Sequence, residues 1–249
     1  ASFNAPQFFD GDANTGDDQI GGVMLFQPVM PIPLYGEGVD QWRLMTRPVI
    51  PFVFSAPQPL GVDDFDHHGG IGDIQLPLLL APSDRITGHF IFGAGPIFLF
   101  PSATTDALGQ NQWGMGPAVV AGYKTENATF GVFPNYFWKI GSAGQDADEP
   151  NISQMSLLYF FNYKLPDAWQ VGFNPTITYD HKAPSNNKWN VPVGLFIGKT
   201  VRVGRLPVNI KVGGEYSVVS EDDFGQRFQF RFQITPVIPS LIENPLLGK

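Results

Sequence analysis

Seven charged residues share one side of alternating segments: Arg43, Arg47, Asp73, Lys211, Glu215, Arg227 and Arg231. In an extended chain, side chains two positions apart project to the same face, so each local group presents its charges together. Five cations against two carboxylates can bias a passage toward anions or cross-link an enclosed interior, and both roles use the same placement. A set of opposite sign, Asp10, Asp12, Asp17 and Asp18, opens the chain in a Gly/Asn-rich stretch. It is the complement that could fold against the bases as a plug.

Other chemical signals are weaker. Asp64-x-Asp66-His67-His68 has metal-ligating types, but a charged surface loop accounts for it more simply. Asp10-x-Asp12-x-Asn14 begins like a calcium loop, yet the turn glycine (Gly16) comes one position late. Gly21 stands where the bidentate Glu belongs, so an EF-hand loop is excluded. Only His89 among four histidines falls in a strand-like segment, and no Ser/Asp arrangement near it builds a hydrolase triad. No catalysis, cofactor or metal is expected.

The elements that must position these residues are strands. Residues 226–235 set Phe228, Phe230, Phe232 and Ile234 against Arg227, Gln229, Arg231 and Gln233. The same period of two puts Trp42, Leu44, Ile50 and Phe52 opposite Arg43, Met45, Arg47 and Val49. It also puts Val208, Ile210, Val212 and Tyr216 opposite Asn209, Lys211, Gly213 and Glu215. The segments run to roughly 10–16 residues, about twice the usual soluble strand and enough to cross a bilayer at a tilt. Short turns at 83–86, 125–127, 165–168 and 204–206 alternate with longer loops at 56–69, 102–112, 140–151, 181–187 and 220–225.

Composition agrees. Only 15% of residues are charged while 14% are aromatic, and 28 Gly with 23 Pro leave little room for helices. Cysteine is absent, which rules out disulfides and thiolate chemistry, and a net charge of −8 argues against nucleic acid as a partner. No apolar run reaches the 18 residues of a membrane helix. Apolar-out, polar-in strands with tryptophans at their ends describe an all-β chain: a transmembrane antiparallel up-and-down β-barrel. Eleven strands can be counted and barrels of this kind have even numbers, so twelve are expected, the extra one before residue 36 or just past 236. The expected organisation is an acidic segment at 1–19, possible plug of the lumen, a barrel over 20–236, and a tail at 237–249.

The stretch Gly69-Gly-Ile-Gly-Asp-Ile-Gln-Leu-Pro-Leu-Leu-Leu-Ala-Pro, with Gly93-Ala-Gly-Pro and Phe232-Gln-Ile-Thr-Pro-Val, resembles the outer-membrane channel family associated with the meta-cleavage pathway of phenol degradation. The resemblance implies a twelve-stranded barrel in the bacterial outer membrane that takes up small hydrophobic or aromatic molecules. It implies no catalytic residues. The final Leu247-Gly-Lys departs from the aromatic ending usual for such barrels.

One further feature is a set of prolines inside strands, among them Pro28, Pro31, Pro33, Pro48, Pro51, Pro77 and Pro96. Proline donates no ladder bond, so each demands a kink or bulge in a wall that has no edges. Kinks at one height would let an apolar solute leave sideways into the membrane. The expected protein is therefore a monomeric passive channel surrounded by outer-membrane lipid and lipopolysaccharide. Two alternatives are a narrow anion-preferring hydrophilic pore and a soluble β-sandwich binding protein.

Overall fold

The computed structural model describes the backbone of residues 2–10 and residues 19–36, 41–61, 64–83, 88–144, 150–221, 225–238 and 245–247, the side chains of 59, 61 and 64 excepted. Long alternating segments meet neighbours of the same kind and form twelve strands, four of them interrupted once. They are β1 (Ser2–Asp10), β2 (Gln19–Phe26 and Met30–Tyr35), β3 (Trp42–Thr46 and Ile50–Gly61) and β4 (Asp64–Ile71 and Ile74–Pro82). Then come β5 (Phe90–Phe100), β6 (Gln112–Lys124), β7 (Ala128–Ser142) and β8 (Ser153–Lys164). The last four are β9 (Trp169–Phe173 and Thr176–Asp180), β10 (Trp189–Val203), β11 (Leu206–Val219) and β12 (Gly225–Pro236).

Each strand is antiparallel to its sequence neighbours. Strand β1 also pairs with β12, placing Phe3 opposite Phe232 and Asn4 opposite Arg231. The ladder thus returns to its start: each of the twelve strands pairs on both sides over part of its length, while Met30–Tyr35 and Asp64–Ile71 pair with a strand on one side. Hydrocarbon offers no water to an unpaired amide, so closure is the only way a sheet can span it. Two stacked sheets would have put the phenylalanines of β12 between them. Instead Phe228 and Phe230 are each 40% exposed on the outside while Gln229 between them is 4% exposed on the inside. That ordering overturns the sandwich alternative.

Two expectations change here. The twelfth strand is Ser2–Asp10, so this part of the acidic head is wall rather than plug: its backbone bonds to both β12 and β2, and Asp10 ends the strand opposite Gly225. Asp12, Asp17 and Asp18 lie outside the described residues. The stretch 56–69 is a hairpin and not a loop, with Ala56 opposite His68 and Gln58 opposite Asp66. Asp66, His67 and His68 there serve the hairpin itself. His67 Nδ1 lies 2.8 Å from Ser55 Oγ, and His68 Nε2 lies 3.5 Å from Asp66.

Aromatic side chains ring both ends of the wall. Trp113, Trp138, Tyr179 and Trp189 sit near the long-loop ends of their strands, with Tyr179 and Trp189 ring centroids 4.4 Å apart. Trp42, Tyr163 and Trp169 mark the short-turn end. Lys199 on the outer face reaches over Trp169, 4.7 Å from the ring centroid, carrying its charge toward that interface.

Phe230 stands near the middle of β12, where a charge on the outer face meets the most apolar part of a bilayer. Phe230→Arg is expected to destabilise the folded barrel by about 2–4 kcal/mol. Urea unfolding in phospholipid vesicles checks it, and unchanged stability would show that this face does not touch lipid.

Candidate functional site: the lumen cavity

The inward row of residues is not uniformly polar. On β4 to β7 it is mainly apolar: Leu79, Ile97, Leu99, Ala118 and Phe137, with Ile152 from the following loop, pack into one buried cluster joined by Met45, Val120 and Phe133, with Gln112 and Asn135 the buried polar members of that face. Across the barrel, β9 to β12 point Gln170, Glu215, Ser217 and Gln229 inward, all nearly buried. Apolar-out, polar-in alternation therefore describes half the wall. In the other half the inner face is apolar over most of its area, and the sequence signal is the unbroken run Ile97-Phe98-Leu99-Phe100.

Between the two halves lies a cavity of about 590 Å³. It extends from mid-barrel toward the short-turn end, from Phe196, Leu158 and Phe133 to Ala81 and Ile91. Its charged lining is Arg43 and Arg47 on β3 and Lys211 on β11, and among the described residues no carboxylate lines it. Lys211 Nζ sits 4.2 Å from the centroid of Phe196. Asn162 adds an amide whose Oδ1 is buried and has no hydrogen-bond partner among the described residues.

Among the described residues, the carboxylate close to these cations is already engaged. Arg231 binds Glu215 in a two-pronged contact, Nη1 to Oε1 at 2.9 Å and Nη2 to Oε2 at 2.9 Å. The guanidinium also donates to the Asn174 carbonyl at 3.3 Å. Parallel N–H···O bonds of this kind are among the strongest polar contacts available to a side chain. Arg47 and Lys211 lie within the electrostatic reach of Arg231. The group as a whole is positive, because one acid faces three bases.

Other candidates go elsewhere. Asp73 was expected to line the passage. It lies in the break between the two halves of β4 and accepts the amides of Ser102 and Ala103 at 3.1 Å and of Gln110 at 2.7 Å, holding the 101–111 loop. A carboxylate that collects three backbone N–H groups is a loop anchor. Asp180 does the same for Lys182 and Ala183. Arg227 is exposed near the long-loop end of β12, away from the cavity lining. Arg43 lines the cavity while its Nε donates to Gln41 at 3.0 Å.

The prolines form a belt. Pro28 and Pro48 occupy facing breaks in β2 and β3, between the pairs Phe26–Ile50 and Met30–Thr46. Pro77 pairs with Ile97, beside Pro96, and Pro96 is directly opposite Pro117. Pro134, Pro175 and Pro192 continue it within two residues of register per pairing. Pro51 faces Leu25, while Pro31 and Pro33 lie nearer the short-turn end against Met45 and Arg43. At the Pro28/Pro48 break residues 27–29 and 47–49 are not paired with each other, roughly 10 Å of wall at about 3.3 Å per residue, although Val49 is bridged on its other side to Gln75 of β4. Val29 and Arg47, which belong to that break, also line the cavity.

Removing Glu215 would strand Arg231 in a mostly buried site. Glu215→Gln is expected to cost about 3–5 kcal/mol, and adding Arg231→Gln to recover most of it. Denaturant titration of the three variants checks this; additive losses would mean that the two side chains are not coupled.

No family model and no curated protein matches the chain. Among solved structures it is similar to the NanC porin in its rhombohedral crystal form, at 12% identity and a TM-score of 0.56, over 96% of this chain and 100% of that one. The shared property is the fold, a porin-type β-barrel.

Proposed function

We propose that the protein is a monomeric outer-membrane channel, set in lipid and lipopolysaccharide, through which small hydrophobic and aromatic solutes enter passively and leave sideways. The observation that carries this reading is the continuity between the apolar cavity and the unpaired stretch of wall at Pro28 and Pro48. A cavity of about 150 Å³ with apolar walls already holds a benzene ring, so 590 Å³ admits a substituted one. Leu79, Val120, Phe133, Leu158 and Phe160 supply the apolar contact, worth about 25 cal/mol per Å² removed from water. The resemblance to channels of aromatic degradation and the likeness to a porin support the same reading.

Sideways release needs strands that part at low cost. Between Phe26–Ile50 and Met30–Thr46 few ladder bonds stand in the way, because Pro28 and Pro48 have no N–H to contribute. Replacing both by valine lets the ladder zip. In cells that depend on this channel, Pro28→Val/Pro48→Val is expected to lower the ratio of phenol entry to single-channel ion conductance several-fold. An unmoved ratio would remove the lateral route, and no conductance from the purified chain in planar bilayers would remove the channel reading.

A further inference from the structure

We propose that the cavity is a subsite for small organic anions with an apolar body, such as aromatic or short aliphatic carboxylates. The proposal rests on the channel part of the reading above and not on the sideways exit: it adds a charged solute class, which passes along the lumen because hydrocarbon rejects an ion. Its basis is the separation of two chemistries across one space. Arg47 and Lys211 come from β3 and β11, on the side of the barrel where the ladder closes. Val120, Phe133, Leu158 and Phe160 come from β6, β7 and β8 on the far side. A solute lying across the cavity meets cations at one end and apolar side chains at the other.

The charge at the cationic end is not spent internally. Glu215 has both oxygens on Arg231, so its charge is matched there. No carboxylate among the described residues lines the cavity, so Arg47 and Lys211 share their space with bases, amides and apolar groups. Like charges held close repel each other, and an entering anion relieves that repulsion while a cation adds to it. Chloride would meet the charge but leave the apolar wall wet. A neutral arene would meet the wall but leave the charges unanswered. A carboxylate carrying a ring answers both, and an arginine fork suits its two oxygens.

Bi-ionic reversal potentials of the purified full chain in planar bilayers test this, with sodium benzoate against sodium formate and against sodium chloride. Benzoate diffuses more slowly than formate in water, so a benzoate-to-formate permeability ratio above one is the expected sign of the subsite. Arg47→Gln/Lys211→Gln is expected to lower that ratio roughly tenfold, the loss of a charge-assisted contact. Phe133→Ala is expected to lower it while the channel still prefers formate to sodium. Should the double variant fail to fold, judged by heat-modifiable gel mobility, Lys211→Met alone gives the same readout in smaller measure. A wild-type ratio at or below one overturns the subsite and leaves the channel standing. A ratio above one that survives loss of both cations overturns the assignment to Arg47 and Lys211. Absence of conductance in every salt overturns the channel itself.

Discussion

A backbone amide in hydrocarbon has nothing but another backbone to bond with, and the whole chain is shaped by that requirement. It explains why β1 bridges β12 and β2, which joins the first and last strands of the sheet. It also explains why the prolines are informative. Each removes a donor from the ladder, and a random scatter would leave single gaps all over the wall. Here eight of them, from Pro28 on β2 to Pro192 on β10, follow one another around the barrel within two residues of register. The defects are concentrated into one belt, and both of its longer breaks, at Pro28/Pro48 and between the pairs Gly172–Phe196 and Thr178–Asn190, adjoin residues that line the cavity.

Much of this could be read from residue order, and the parts that could not have a common cause. Alternation in 226–235 and 208–218 sets Arg231, Glu215 and Lys211 on one face; in the fold Arg231 meets Glu215 and Lys211 lines the cavity. A period of two says which residues share a face and is silent on what that face meets. Ser2–Asp10 reads as part of an acidic segment able to plug the lumen because Asn4 and Asp10 interrupt the apolar Phe3, Phe8 and Phe9, yet its backbone pairs with both neighbours except at a bulge between Asn4 and Gln7. The hairpin from Phe52 to Ile71 looked like a loop because a ribbon reaching toward the long-loop end has water beside it and no need of apolar alternation. Asp73 shares the alternation of 71–80 but lies in the break between Ile71 and Ile74, where its carboxylate takes the loop amides, and a break cannot be seen in polarity alone.

The interior follows from size. A twelve-stranded ring is too wide for side chains to fill evenly and too narrow to stay wholly wet. This chain fills one side with the Leu79–Ile97–Phe137 cluster and leaves the other to polar groups. Small inward residues make the close packing possible. A Cβ at Gly116 would collide with the Tyr136 carbonyl, and one at Gly95 with the Leu78 carbonyl. Gly172 against the Phe161 carbonyl and Gly194 against the Gly214 carbonyl show the same device on the polar side, and the free volume is displaced from the apolar cluster into the space between it and Arg43, Arg47 and Lys211.

That displacement decides what the charges can do. In a fully packed lumen, Arg47 and Lys211 would each need a carboxylate, because an unmatched buried cation is prohibitively unstable. In an open aqueous pore they would be screened within about 8 Å at physiological salt and would only tilt selectivity. A cavity bounded on one side by apolar side chains lies between these limits. Its low-dielectric wall strengthens the field of the cations, and its volume leaves room for a mobile partner to supply the missing negative charge. Glu215 keeps Arg231 in place and takes no part in that exchange, since both its oxygens are held. The apolar packing on β4 to β7 and the unmatched bases on β3 and β11 are thus two consequences of one asymmetric filling of the ring.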